Sequence, residues 1–256
     1  MEQNSTDSNL KSLTKNHYDK FTFIEPNLET DKRFIENNEL FLGLLHLEDI
    51  KEPIIEVGCG TGKYLRLLEL AGKKDIVGID ISPNSLKIAR KYLRHSRLEE
   101  GDATNLKNFK DKSFNTVICA GVAHHTPAPK KVFSECARIC GKNGTIIFGV
   151  YRKNSVYYYD YIMFNKLVKI IFKLKVEKLF FPLFRLWFFY LSGSFPDKKT
   201  LLSLVTDRYL SPVVKFFTLK QLKQWAKGQN LDLLNVSYTY RKSLVNVLLK
   251  KQVNNK

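Results

Sequence analysis

Acidic side chains are scarce in the second half of this 256-residue sequence. Residues 151–256 contain 20 lysines and arginines but only five acids, whereas residues 1–150 carry 22 basic and 20 acidic side chains. The second half therefore holds +15 of the total charge of +17. A charge of this sign argues against a cationic partner and favours an anionic one. We expect any anionic membrane or nucleic acid to contact the second half.

Cysteine is also scarce, and the four thiols form no pair at the spacing of metal ligands. Cys59 and Cys119 fall in stretches typical of a core strand or turn, while Cys136 and Cys140 lie four apart on a predicted helix. This pattern argues against a metal site or a disulfide framework. We expect no bound metal and reduced thiols, as in a cytoplasm.

No apolar run is long and clean enough to predict a membrane span. The most apolar stretch, Leu179–Ser192, is short and contains Pro182 and Arg185. The stretch Met1–Lys15 is polar, so we expect a frayed tail there rather than a secretory signal. The sequence thus predicts a cytoplasmic protein whose membrane contact, if it has one, is peripheral at the inner face.

A glycine-rich stretch, Ile54–Gly62, is the strongest signal that the sequence does contain. Its letters, IIEVGCGTG, place a short apolar strand before glycines at every second position, and a helical pattern begins at Lys63. A ligand can lie against bare backbone at such a turn, because a side chain at Gly58 or Gly60 would occupy the ligand's space. The turn is predicted to seat a ligand.

Strands and helices alternate after this turn. Further strands are predicted at residues 75–80, 96–100, 114–120, 145–151, 231–238 and 243–250. Helices are predicted at 84–93, weakly at 105–109, and at 129–140 and 218–227. The last two strands are so close that they must form an antiparallel hairpin. This pattern predicts an α/β fold with a doubly wound, mainly parallel seven-stranded sheet. Ligands of such sheets bind outside the carboxyl ends of the strands.

The glycine pattern differs from the dinucleotide fingerprint, which would need glycine in place of Lys63. The form acid-x-Gly-x-Gly-x-Gly instead resembles the first motif of class I S-adenosylmethionine-dependent methyltransferases. Asp80 matches the family's acid that binds the ribose hydroxyls, and Asp102 matches the acid that reads the adenine amine. The likeness covers about residues 50–150 plus the closing helix and hairpin. It implies a Rossmann-like methyltransferase sheet and S-adenosylmethionine as the cofactor.

The chemistry of this donor agrees with three acids at successive strand ends. Its ammonium, ribose diol and adenine amine are all hydrogen-bond donors, for which Glu56, Asp80 and Asp102 would supply acceptors. Taken singly, each acid could instead cap a following helix, but the ordered set favours a donor site. Tyr18, on a predicted lid, is either an aromatic cover for the donor or an ordinary helix-face residue. The cofactor-binding residues implied by the resemblance are Glu56, Gly58, Cys59, Gly60, Gly62, Asp80, Ile81, Asp102, Ala103, Ala120 and Tyr18.

Two adjacent histidines, His124 and His125, follow the fourth strand. Ending in His-His-x-Pro, this stretch resembles methyltransferases associated with ubiquinone and menaquinone biosynthesis, where the position lines the acceptor pocket. An imidazole there could take a proton from a phenol-like acceptor, which would make these histidines catalytic. The alternative is that one histidine hydrogen-bonds a backbone carbonyl to hold the turn while the other faces solvent. A zinc site is not expected, because no third ligand has suitable spacing.

The expected domain organisation has five segments. They are a disordered tail (1–15), an N-terminal helical lid (16–52) with helices at 17–23 and 33–47, a donor-binding core (53–151), a basic aromatic helical insert (152–215), and a closing helix with the edge hairpin (216–256). In the insert, Lys166, Lys169 and Lys173 share one face of a predicted helix that is otherwise mostly apolar. Such a helix suits an anionic membrane interface, or equally a cap over the acceptor pocket with solvated lysines.

These features predict methyl transfer from S-adenosylmethionine to a small or lipid-like acceptor, for example of quinone or phenol type. One alternative is an RNA methyltransferase, because the basic half would attract phosphates. Against it, the fourth strand ends in Cys119–Val122 without the Asn/Asp-Pro-Pro-aromatic motif of base-amine methyltransferases, so nucleic acid is disfavoured. The other alternative is a non-catalytic membrane- or partner-binding protein on a methyltransferase fold. The intact glycine turn and acids argue against that degeneration.

Overall fold

The computed structural model describes residues 2–22, 35, 39–192, 195–239 and 241–252, and it is built around one seven-stranded sheet. The strands are β1 (Leu40–Phe41), β2 (Leu45–His46), β3 (Ile54–Val57), β4 (Ile76–Asp80), β5 (Arg97–Glu100), β6 (Phe114–Ala120), β7 (Cys140–Tyr151), β8 (Leu231–Thr239) and β9 (Leu244–Lys251). The sheet has the order β5-β4-β3-β6-β7-β9-β8. Its first five strands are parallel, and β9 is antiparallel to both neighbours. The predicted doubly wound sheet with a C-terminal hairpin is confirmed.

Helices cover the sheet and form the insert. They are α1 (Glu2–Lys20), α2 (Lys63–Leu70), α3 (Pro83–Ala89), α4 (Pro129–Ile139), α5 (Val156–Lys173), α6 (Glu177–Ser192), α7 (Lys198–Val205) and α8 (Leu219–Lys227). Helices α3 and α8 have side-chain caps at their N-termini. The Ser82 hydroxyl accepts the Ser85 amide, and Thr218 forms a capping box with Gln221. Within the described residues, no helix combines the length and the apolar character that a membrane span requires.

The central strand β3 is buried on both faces, which fixes the glycine turn that follows it. Ile55 and Val57 pack into a cluster that also contains Phe133 of α4 and Leu222 of α8. Ile54 points to the opposite side, into a cluster with residues of α2. Because alternate side chains of a strand face opposite sides, this short apolar run needs helices on both faces of the sheet.

The N-terminal region differs from the sequence prediction. Helix α1 runs continuously to Lys20, where a frayed tail to Lys15 and a separate helix at 17–23 were expected. The physical reason is long-range, because Lys11 and Lys15 form ion pairs with Asp102 and Glu100 at the sheet. A local pattern cannot reveal such contacts.

The predicted helix at 33–47 lies partly outside the described residues. Its described end forms the β1–β2 hairpin instead, with positive φ angles at Leu42 and Gly43 that turn the chain. The weak helix predicted at 105–109 is also absent from this described stretch, which consists of turns.

The insert after β7 folds around its own core. Tyr157, Val168, Phe188, Leu201 and Tyr209 are buried together, and a π-helical turn (Thr206–Leu210) follows α7. The two ends of the insert lie side by side at Arg152 and Phe217, and we call this point the neck of the insert. Arg152 and Phe217 form an isolated bridge, and the Phe217 amide donates to the Tyr151 carbonyl over 2.9 Å. The chain therefore leaves the sheet after β7, forms the insert, and returns to the end of the same strand.

Candidate active site

A pocket lies at the carboxyl ends of β3, β4, β5 and β6, with helix α1 on one side. It has a cavity volume of about 110 Å³ and is partly open to solvent. Its lining residues are Thr14, Tyr18, Gly58, Gly60, Asp80, Ile81, Ser85, Gly101, Asp102, Ala103, Gly121, Val122, His125 and Thr126.

The glycines of the turn have different physical roles. At Gly58, with φ of +77°, an added Cβ would lie 2.2 Å from Cγ2 of Val122, so the close packing of Val122 requires glycine there. At Gly60 and Gly121 an added Cβ would meet no atom within 4 Å, although both line the pocket. The expectation that glycine leaves room for a ligand therefore fits Gly60, and at Gly58 the neighbouring side chain is the reason.

Asp80 ends β4 with its carboxylate held against the glycine turn. Its Oδ2 accepts the Gly60 amide at 2.8 Å, and its Oδ1 accepts the Ser82 amide at 2.9 Å. Burial raises the pKa of Asp80, while these two amide hydrogen bonds act in the opposite direction. Each carboxylate oxygen can accept a further hydrogen bond, so Asp80 suits a ligand with two adjacent hydroxyl groups.

Asp102 lies beyond the end of β5 and already has partners on both oxygens. Its Oδ1 accepts the Thr104 amide at 2.8 Å, and its Oδ2 accepts the Thr104 hydroxyl at 2.7 Å and pairs with Lys11. Partial burial raises the pKa of this carboxyl, but the bonds to Lys11 and Thr104 outweigh burial and hold it below its usual value. Asp102 thus organises the loop after β5 while still lining the pocket, and it caps no helix, because the described residues 103–109 form turns.

Glu56 lies under the turn and does not line the pocket. Its side chain is buried, and Oε2 has no hydrogen-bond partner among the described residues. Burial, with the nearby Asp80 carboxylate, raises the pKa of Glu56 well above its usual value. An unpartnered buried acceptor below a ligand seat fits a cationic ligand group that reaches it through water.

The pocket brings together most of the predicted cofactor residues. Gly58, Gly60, Asp80, Ile81, Asp102, Ala103 and Tyr18 line it, as does His125. Glu56, Cys59, Gly62, Ala120 and His124 do not. The Cys59 thiol faces the core near Gly78, and an added Cβ at Gly62 would face Ala89 and Leu93 of the neighbouring helical segment. The sequence did not single out Thr14 or Ser85. Four further lining residues belong to the stretches around Asp102 and the two histidines that the sequence did single out, namely Gly101, Gly121, Val122 and Thr126.

His124 is a packing residue. It is completely buried, its ring lies 3.7 Å from that of Tyr151 between centroids, and its Nδ1 accepts the Tyr151 amide at 3.3 Å. Burial lowers its pKa well below the usual histidine value, so its ring stays neutral. The bond from the Tyr151 amide fixes this ring against β7, whereas the histidine that bonds a backbone carbonyl is His125.

His125, in contrast, lines the pocket. Its Nδ1 lies 2.8 Å from the Val213 carbonyl oxygen, which can only accept, so the Nδ1 carries the proton. Its Nε2 lies 3.5 Å from Oδ1 of Asp207. A proton gained at Nε2 would therefore face a carboxylate. The expected solvent-facing histidine is wrong for this residue, because its exposed fraction is only 4%.

Asp207, which the sequence did not reveal, connects three elements at this point. It lies on the π-helical turn of the insert and accepts the Tyr18 hydroxyl at 3.1 Å and the Tyr151 hydroxyl at 2.9 Å. Burial raises the pKa of both tyrosines well above their usual value, so both hydroxyls stay protonated and donate. The available signal was compositional, since Asp207 is one of only five acids in residues 151–256.

Several proteins with similar sequences are named as methyltransferases. Residues 55–148 match the family described as "Methyltransferase domain". The chain is 35% identical over 100 residues to phosphatidylethanolamine N-methyltransferase of Cereibacter sphaeroides (37% of this chain, 48% of that protein). It is 34% identical over 104 residues to demethylmenaquinone methyltransferase of Thermotoga maritima (40% and 45%). The matched region thus spans about half the length of these relatives.

The fold also matches solved structures. Magnesium protoporphyrin IX methyltransferase from Synechocystis PCC 6803, solved with bound SAH, has a TM-score of 0.54 and 14% sequence identity. The match covers 98% of each chain. At this identity the likeness concerns the fold alone, and it includes the insert and the closing hairpin.

Proposed function

We propose that this chain, whose residues 55–148 match a methyltransferase domain, is a class I methyltransferase that transfers the methyl group of S-adenosylmethionine to a small or lipid-like acceptor. The observation that carries the proposal is the single pocket in which Gly60, Asp80 and Asp102 meet at the carboxyl ends of three successive strands. This pocket offers acceptors where S-adenosylmethionine offers donors.

The residues of the pocket have separate binding roles in this proposal. Asp80 accepts the ribose hydroxyls, and Asp102 accepts the adenine amine after Lys11 moves away from it. Glu56 attracts the ammonium group through water. S-adenosylmethionine supplies a methyl carbon that is already activated, so the protein's main tasks are positioning the acceptor and excluding water.

His125 is the general base that we propose for a hydroxyl or acidic-carbon acceptor. With Nδ1 protonated, Nε2 is a buried acceptor without a hydrogen-bond partner among the described residues, so binding of the acceptor must open a path to this atom before it can take the acceptor's proton. Asp207 then stabilises the resulting imidazolium. We assign no catalytic role to His124, because its Nδ1 already accepts a backbone amide and its ring is completely buried against Tyr151. Asp207 is a positioning residue in this scheme.

We propose an acceptor of lipid-like or quinone type. The named relatives act on phosphatidylethanolamine and demethylmenaquinone, and the insert next to the pocket is rich in aromatic side chains. The proposal also places the protein in a cytoplasm, at a membrane surface. The four cysteines support the compartment, because all four are buried free thiols.

Isothermal titration with S-adenosylhomocysteine tests the donor site. We expect binding by the wild-type chain and a loss of at least about tenfold in affinity for Asp80→Ala, because one carboxylate would serve two hydroxyls at about 1 kcal/mol or more each. Asp75→Ala is the matched control, since Asp75 immediately precedes the same strand at its opposite, exposed end. The donor assignment fails if the folded wild type does not bind millimolar ligand, and the ribose assignment fails if both variants bind equally well.

A further inference from the structure

Helix α5 carries an unusual exposed stripe. Tyr159, Met163, Leu167, Ile170 and Leu174 recur every three or four residues along one face and at the helix end, and all are exposed, Met163 to 68%. Lys166, Lys169 and Lys173 follow the same spacing on one flank of this stripe and are also exposed. The opposite face holds Tyr157, Val168 and Ile171 in the core of the insert. The apolar stripe is therefore not needed to fold the insert.

Helix α6 repeats this arrangement. Leu179, Leu183, Leu186 and Tyr190 form an exposed stripe, with Leu179 exposed to 77%, and Lys178 and Arg185 lie on one flank. Its inward face contributes Phe188 to the insert core. Two successive helices thus each present a water-facing apolar stripe with basic residues along one edge. Single exposed apolar residues are ordinary, but a repeated stripe of this size marks an interaction surface.

A cleft lies beside the α6 stripe. It has a volume of about 560 Å³ and is lined largely by apolar side chains, among them Phe181, Leu186 and Phe195. Two cations lie over aromatic rings in this cleft, Arg185 over Phe195 at 5.4 Å and Lys198 over Phe181 at 5.5 Å. The acid in the lining, Asp197, already caps α7 by accepting the amides of Lys199 and Thr200. The cleft therefore combines an apolar interior with two cations for which the described part of the chain supplies no ion-pair partner.

We propose that the exposed faces of α5 and α6 dock on an anionic lipid bilayer. The charge identifies the occupant, because the only acids on the two helices are Asp160, which is buried, and Glu177, which is half-buried. Amphipathic helices with leucines on one face and lysines at its edge lie in the plane of such an interface, with lysines reaching the headgroups. Anionic headgroups also suit the two cations of the cleft.

This docking deepens the proposed function, on which its relevance for the acceptor rests. Tyr157 lies on the inward face of α5, and its ring centroid is 4.7 Å from that of Tyr151. The Tyr151 hydroxyl in turn donates to Asp207. One helix therefore connects the lipid-facing stripe to the wall of the active site. A lipid-like acceptor would be delivered next to the residues proposed to receive it.

Vesicle co-sedimentation of the full chain tests the docking. We expect binding to phosphatidylcholine vesicles that contain phosphatidylglycerol, and much weaker binding to phosphatidylcholine alone or at 1 M salt. Lys166→Glu/Lys169→Glu/Lys173→Glu should lower the partition coefficient at least about 100-fold, since each basic residue near an anionic surface contributes roughly fivefold. The control is Lys220→Glu/Lys223→Glu/Lys227→Glu, the same charge change on exposed positions of α8. Equal losses in the two triple variants would overturn the proposed face.

The apolar contribution has its own pair of variants. Leu167→Ser and Leu183→Ser should each weaken vesicle binding by at least about fivefold, whereas Leu234→Ser, exposed to a similar extent on β8, should not. Every variant should bind S-adenosylhomocysteine like the wild type, which certifies folding. If only donor binding fails in the wild type, the proposed function falls and the docking stands. Absence of vesicle binding together with a dimer that Leu167→Ser dissociates would overturn the docking in favour of a second copy of this chain.

Discussion

At the scale of single residues, Asp207 contacts both Tyr18, which is proposed to cover the donor, and His125, which is proposed to act on the acceptor. Its carboxylate accepts hydrogen bonds from the Tyr18 hydroxyl of α1 and the Tyr151 hydroxyl of β7. Its Oδ1 also lies 3.5 Å from Nε2 of His125. A carboxylate at this position can keep the two tyrosines in place and also stabilise a proton on Nε2 of His125. The first role needs only an acceptor oxygen, whereas the second needs the negative charge. A substitution that keeps the oxygen and removes the charge separates the two roles.

Asp207→Asn should therefore lower the rate of methyl transfer about 100-fold while changing the affinity for S-adenosylhomocysteine by less than about threefold. Transfer is measured with labelled donor and a lipid extract as acceptor source. Asp160→Asn is the control, because Asp160 is a buried aspartate of the same insert that accepts the Tyr209 hydroxyl away from the pocket. If transfer by Asp207→Asn matches the wild type across the pH range, Asp207 has a structural role only.

At the scale of elements, helix α1 is fastened across the strand ends at both of its sides. Lys11 and Lys15 pair with acids at and after β5, and Asp19 accepts the Ser82 hydroxyl at 3.2 Å and the Asn84 amide at 3.1 Å at the start of α3. Between these contacts, Thr14 and Tyr18 line the pocket. Because α1 forms one side of the pocket and is held there by these contacts, we expect its attachment to affect donor affinity and exchange.

Removing the Asp19 carboxylate should loosen this helix. For Asp19→Ala we expect an affinity for S-adenosylhomocysteine that is weaker by about threefold to tenfold, since each lost hydrogen bond contributes about 1 kcal/mol or less in a partly solvated position. Hydrogen exchange of α1 should also become faster. Asp7→Ala, an exposed change on the same helix, should alter neither quantity. Identical exchange in the two variants would show that Asp19 does not hold α1 in place.

At the scale of the whole molecule, the sequence reveals what depends on local pattern and misses what depends on long-range contact. The strand at Ile54–Val57 and the turn after it can be predicted from the sequence, because an apolar run and closely spaced glycines favour these structures locally. The extent of helix α1 could not be predicted, because the helix depends on ion pairs with residues about 85 or more positions away in the sequence. Asp207 reaches the active site only through the folding of a separate helical insert, so no spacing rule could place it there.

The neck of the insert makes the division between donor and acceptor functions testable. Among the described residues that line the pocket, none comes from 152–215. The insert leaves and re-enters where Arg152 pairs with Phe217, so a short Gly-Ser linker can replace residues 154–216 without stretching the sheet.

This deletion should leave a chain that binds S-adenosylhomocysteine within about tenfold of the wild type, the loss arising from the missing bond between Tyr18 and Asp207. Methyl transfer and vesicle binding should both be abolished, because Asp207 and the two exposed stripes are gone. Circular dichroism with the donor analogue present checks that the core has folded. Retained transfer in the folded deletion variant would show that the residues that bind and activate the acceptor lie in the core. His125 would then act without its carboxylate partner.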